Sequence, residues 1–170
     1  DSERACRGGL YDLAAGTWRA LRACPLLPIM YPQPLWTGSE IVLLTWGPEW
    51  FDGGKVDPWP ERAYTNGIYD PARDTWRRPA ARPARLQPGD GGRFVWTGRE
   101  VLLWGGGGGV AYDPAADTWR AMARAPFTRE SASYAWTGTE LLVWGGTTGQ
   151  DCFDGCPRAD GLAYRPGTSP

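Results

Sequence analysis

The segment VWTGREVLLWGGG (residues 95–107) recurs twice, as LWTGSEIVLLTWG (residues 35–47) and AWTGTELLVWGG (residues 135–146). Each copy is followed by a second phrase: YDPARDTW from Tyr69, YDPAADTW from Tyr112 and YRPGTSP from Tyr164. A further second phrase, YDLAAGTW, opens at Tyr11 with no first phrase ahead of it. Trp36, Trp96 and Trp136 are 60 and 40 residues apart, so a constant framework carries spacers of variable length. Repeats of roughly this period mark propellers or solenoids.

The third copy shows the local structure best. SASYAW (residues 131–136) interleaves small residues with aromatics, as suits a strand in a crowded place. Thr137-Gly138-Thr139 turns the chain, Gly138 supplying the positive φ of a tight turn. LLVW (residues 141–144) is an unbroken apolar run of strand length and predicts a strand buried on both faces. Gly145-Gly146 ends it, either bending the strand or admitting a neighbouring backbone. GLAY (residues 161–164) predicts a third strand, equivalent to residues 109–112 of the second copy. There a DPAAD turn (residues 113–117) leads to a fourth strand, TWRAM (residues 118–122), with Pro114 presetting φ and Asp113 bonding back to the backbone. No window has helical periodicity. Four antiparallel strands per repeat favour propeller blades over a helical solenoid.

The double glycine after an apolar strand, then Tyr-Asp, then Thr-Trp, resembles the kelch repeat, and the WTG-x-E-LL-VWGG wording is similar to bacterial kelch-type propellers. The resemblance covers residues 11–164; Gly47-Pro48 replaces the double glycine in the first copy. It implies an all-β fold, a partial kelch-type β-propeller of about three blades. The divisions are a half-blade (1–27), two blades (28–80 and 81–124) and a partial blade (125–170). Propellers close with about four to eight blades, so the expected partners include the remaining blades of a longer polypeptide, or a second copy of the chain completing the ring. Fold alone implies no function.

Net charge is −1, with 18 basic and 19 acidic residues and no basic stripe, which argues against nucleic acid. No apolar run is long enough for a membrane helix, so membrane insertion is not expected. Cys152 and Cys156 flank a short loop whose spacing permits a disulfide, and this points to an extracytoplasmic, secreted or cell-surface protein. Cys6 and Cys24 are left without assigned partners. The chain has no histidine. That removes the commonest general base and every Ser-His-Asp arrangement, and with it the metal of the copper-radical oxidases found among kelch propellers. No cofactor or metal is expected, and the glycine run at residues 105–109 lacks the Lys-Ser/Thr of a phosphate loop and reads as a blade turn.

Candidate ligand-binding residues cluster in the loops between second and third strands. Residues 48–67 carry Trp50 and Trp59 with Asp52, Asp57 and Arg62 interleaved. Aromatic faces beside carboxylates and a guanidinium suit sugar rings, and equally suit a protein hot spot; a satellite cluster beneath the loop is the structural alternative. In the loop around the cysteine pair stand Asp151, Asp154, Arg158 and Asp160, of which Asp154 and Arg158 are the binding candidates. In kelch ligand-binding modules an arginine at the start of strand one faces the partner; that place holds Ile29, Gly89 and Arg129, so only the last copy keeps it. Glu40, Glu100 and Glu140 recur after each WTG turn and are expected to cap backbone donors of the hairpin. The expected function is recognition of a protein or glycan ligand, with no catalytic residues of its own. The alternative is a piece of a carbohydrate-active propeller enzyme (oxidase, lyase or sugar epimerase) whose key residues lie in other blades.

Overall fold

A computed structural model describes residues 8–21, 26, 33–44, 66–83, 85–86, 92–105, 108–148 and 156–166. The described residues form thirteen strands and no helix, in four antiparallel sheets of two, four, four and three strands. The chain divides into two compact units, Asp1–Pro79 and Ala80–Pro170.

The first unit holds a hairpin of β1 (Gly9–Asp12) and β2 (Thr17–Ala20), and a sheet of β3 (Gln33–Trp36), β4 (Ile41–Leu44), β5 (Gly67–Asp70) and β6 (Thr75–Arg77). The second holds a sheet of β7 (Arg93–Trp96), β8 (Val101–Gly105), β9 (Gly108–Asp113) and β10 (Thr118–Ala121), and one of β11 (Ser133–Trp136), β12 (Leu141–Trp144) and β13 (Gly161–Tyr164). Every sheet is a simple meander in sequence order, the propeller-like blade that the repeats predict. Register repeats too: Ile41 pairs with Tyr69, Val101 with Tyr112 and Leu141 with Tyr164.

Three local devices explain why each copy of the wording makes the same sheet. In the WTG turns, Gly38, Gly98 and Gly138 have φ of 103°, 93° and 101°, a region that disfavours any side chain. The threonine of each turn closes the hairpin: Thr97 Oγ1 accepts from the Glu100 amide at 2.9 Å, and donates to the Glu100 carbonyl at 3.0 Å. Thr37 and Thr137 do the same with Glu40 and Glu140. In the Tyr-Asp turns, the Asp113 carboxylate accepts from the amides of Ala115 and Ala116, as Asp12 and Asp70 do in their own turns. The tyrosine and tryptophan of each copy pair across the outer strands, with ring centroids 5.1 Å apart for Tyr11–Trp18, 4.9 Å for Tyr69–Trp76 and 4.8 Å for Tyr112–Trp119.

The glutamates therefore do not cap the hairpin donors; the threonines do. The carboxylates instead cross the sheet to an arginine, Glu40 to Arg77 and Glu100 to Arg120, and Glu140 takes Arg165. The reason is reach: the hairpin donors lie two and three residues beyond the threonine, within range of its short side chain, while the longer glutamate extends over the sheet.

The core of the second unit lies between its two sheets. Leu102, Trp104 and Ala111 from one and Leu141 and Val143 from the other share a buried cluster with Met122 and Ala132. β8 is buried along its whole length, as an unbroken apolar run predicts. β12 departs from that expectation. Leu141 and Val143 are buried, but Leu142 and Trp144 are 40% and 62% exposed, because no described residue covers the far face.

Candidate binding site

The second and third strands of each sheet are joined at the end opposite the WTG and Tyr-Asp turns. In the last sheet this end is extended by backbone pairing beyond the strands. Gly145 N–H donates to Asp160 O at 2.9 Å, and Arg158 N–H to Gly146 O at 2.9 Å. Thr147 exchanges hydrogen bonds with Glu130 at 2.9 and 3.0 Å, and bridges to Pro157 on its other side. Such a crossing needs glycine: Gly146 has φ of 79°, and a Cβ there would meet the Glu130 carbonyl and sit 2.9 Å from the Ala132 amide. The double glycine thus both bends the strand end and admits the incoming segment.

That crossing draws Arg129 into the structure. Its side chain is 4% exposed, its Nη2 donates to Asp160 Oδ1 at 2.6 Å and its Nη1 to Thr128 O at 3.0 Å. The guanidinium lies 4.0 Å from the Phe127 ring centroid, a cation–π stack, and its buried Nε has no partner among the described residues. Asp160 is 62% exposed. The hydrogen bond from Arg129 holds its carboxyl below the ordinary carboxylate range, and Arg158 adds a smaller pull in the same direction. Arg158 itself is exposed, and donates from Nη2 to Thr148 Oγ1 at 3.4 Å. The Asp160 carboxylate is thus held by a buried guanidinium, with the exposed Arg158 near enough to act on its charge.

Nearby, at the same end of the strands, Tyr134 on β11 packs its ring 6.0 Å from Trp104. Its hydroxyl is buried without a partner among the described residues, and desolvation pushes its pKa up.

Of the residues expected to bind ligand, the structure brings Arg129 and Arg158 together around Asp160. Trp50, Asp52, Asp57, Trp59, Arg62 and Asp154 lie outside the described residues. Cys156 is disulfide-bonded, and Cys152, like Cys6 and Cys24, lies outside the described residues. Asp160, Phe127 and Glu130 were not among the candidates. A signal for Asp160 was present: counting back four residues from Tyr11, Tyr69, Tyr112 and Tyr164 gives Arg7, Thr65, Gly108 and Asp160, so the acid occurs only in the copy that has Arg129.

Among the described residues no three His, Cys, Asp or Glu side chains gather as metal ligands, and no helix is long and apolar enough to cross a membrane. No protein-family model matches the chain, and no curated protein matches it either.

Proposed function

We propose that this chain is a recognition module built from kelch-type propeller blades, binding a glycan or protein ligand through the loops at the Arg129 end of its last sheet. The observation that carries the reading is the Arg129–Asp160 pair. A buried guanidinium, stacked on Phe127, holds an exposed carboxylate in one orientation, with a second, exposed donor on Arg158. An oriented acceptor next to a donor fits vicinal sugar hydroxyls or a peptide amide, and ordering it in advance lowers the entropy lost on binding. The aromatic and acidic residues of the 48–67 loop are of the same chemical character. In this reading Cys152 and Cys156 close the neighbouring loop as a disulfide, and the protein works outside the cytoplasm.

The test is binding of the labelled chain to immobilised panels of oligosaccharides and peptides, with Asp160→Asn alongside. Selective binding that the variant loses while remaining folded at the binding temperature, by circular dichroism, supports the reading. No selective binding on either panel, or equal binding by the variant, refutes it.

A further inference from the structure

Three residues at the Arg129 end of the last sheet stand where the second copy has glycine. Counted back from Trp136 and Trp96, Arg129 matches Gly89 and Ser131 matches Gly91; counted back from Tyr164 and Tyr112, Asp160 matches Gly108. For Ser131 the exchange strains the backbone. Its φ is 54°, in the left-handed region that glycine enters freely and serine does not.

That conformation is imposed from both sides. Glu130 exchanges backbone hydrogen bonds with Thr147, and Ala132 lies so close to Gly146 that no Cβ fits between them. Two other described residues have positive φ without being glycine, Asp74 and Asp117, and each accepts a hydrogen bond from a tyrosine. Ser131 is exposed, and no described residue bonds its side chain. A glycine would therefore relieve strain there and lose no bond within the described residues. Strain kept at an exposed polar residue that the framework does not use points to a partner outside the chain.

We infer that Ser131 is a third contact residue of the Arg129–Asp160 site and that the occupant is a neutral oligosaccharide; the inference rests on the recognition reading above and narrows it. The Ser131 hydroxyl donates one hydrogen bond and accepts others, as a sugar hydroxyl requires of its partners. At the same end of the sheet the exposed Asp160 accepts and the exposed Arg158 donates. Arg129 and Arg158 balance Glu130 and Asp160, so the site asks no ionic group of its occupant. Glu130, Ser131, Arg158 and Asp160 supply donors and acceptors with no large apolar side chain among them, whereas protein hot spots centre on large anchors in desolvated pockets.

The experiment compares the full 170-residue chain with Ser131→Gly and Ser131→Ala, in melting temperature and in binding to immobilised gluco-, galacto- and manno-oligosaccharides, with peptides alongside. Ser131→Gly should melt about 2 °C above the unaltered chain and Ser131→Ala should not, because only glycine relieves the strain. Both variants should bind roughly fivefold more weakly to any oligosaccharide that the unaltered chain selects, the loss of one hydrogen bond. A serine with a purely structural role would leave Ser131→Gly binding as tightly as the unaltered chain, and that result overturns the inference. So does a melting temperature that Ser131→Gly fails to raise. Selective binding of peptides and of no sugar overturns it while leaving the recognition reading in place; no selective binding on either panel removes both.

Discussion

Glu100 holds Arg120 across its sheet, from the turn between the first two strands to the outermost strand, with Nε to Oε1 at 2.8 Å and Nη2 to Oε2 at 2.6 Å. The pairing raises the Arg120 pKa above its ordinary value. Glu40 and Arg77 repeat the geometry at 3.1 and 3.0 Å. The Glu140–Arg165 pair, with Nη2 to Oε1 at 2.8 Å, has more exposed partners. We predict that Glu100→Gln lowers unfolding free energy by about 1 kcal/mol, and Glu140→Gln by less than about 0.5 kcal/mol. Urea titration of both variants checks this; equal losses would mean that the lesser exposure of the Glu100–Arg120 pair adds nothing.

Two glycines with the same backbone requirement should respond differently to substitution. Gly138→Ala places a methyl group in open space and meets only the cost of positive φ, about 1 kcal/mol. Gly146→Ala carries that cost and also drives Cβ into the Glu130–Ala132 backbone. We predict a loss of roughly 3 kcal/mol or more, with disruption centred on the Arg129 end. Thermal unfolding of the pair decides; similar melting temperatures would contradict the close crossing.

Asp117 combines a φ of 53° with hydrogen bonds from Tyr112 and Ala80. Its equivalent in the first hairpin is Gly16, at φ of 67°. We expect Asp117→Ala to cost about 2–3 kcal/mol, since backbone strain stays while both bonds go. Asp117→Gly should cost less than Asp117→Ala, because it relieves the strain. The reverse order in chemical denaturation would show that strain is not a component.

Acid should unfold the protein through its turns. Asp113 is held below the ordinary carboxylate range chiefly by the Ala116 amide, Asp70 chiefly by the Arg73 side chain, and Asp160 by Arg129. A carboxyl lowered in the folded state contributes stability above its unfolded pKa, about 3.9, and loses it as pH falls through the folded value. Melting temperature is therefore expected to hold to about pH 5 and to fall below about pH 4. Asp113→Asn, which keeps a turn acceptor but does not titrate, should blunt the fall; an unchanged acid profile would remove Asp113 from the account.

Much of the framework was legible because the repeats vote together. LLVW and GLAY coincide with β12 and β13 residue for residue, and the WTG turns take the predicted positive φ. What periodicity could not show was burial of a second face, which depends on what lies against it: VLLW is covered and LLVW is not. Nor could spacing distinguish a glutamate capping its own hairpin from one reaching an arginine 20 or 37 residues away. The site was half legible. Arg129 and Arg158 were marked by position and composition, but Asp160 was visible only as a letter in a polar loop. It matters through a hydrogen bond from a residue 31 positions earlier.

The ties that hold each four-stranded sheet, threonine on glutamate, glutamate on arginine and tyrosine on aspartate, are all made by residues of the WTG and Tyr-Asp turns and the strands. None of them draws on the segment between second and third strands. That division makes the sheet a natural display platform. Foreign loops of differing length could be grafted between β8 and β9 without disturbing the bonds that set its register, and selected there for new ligands.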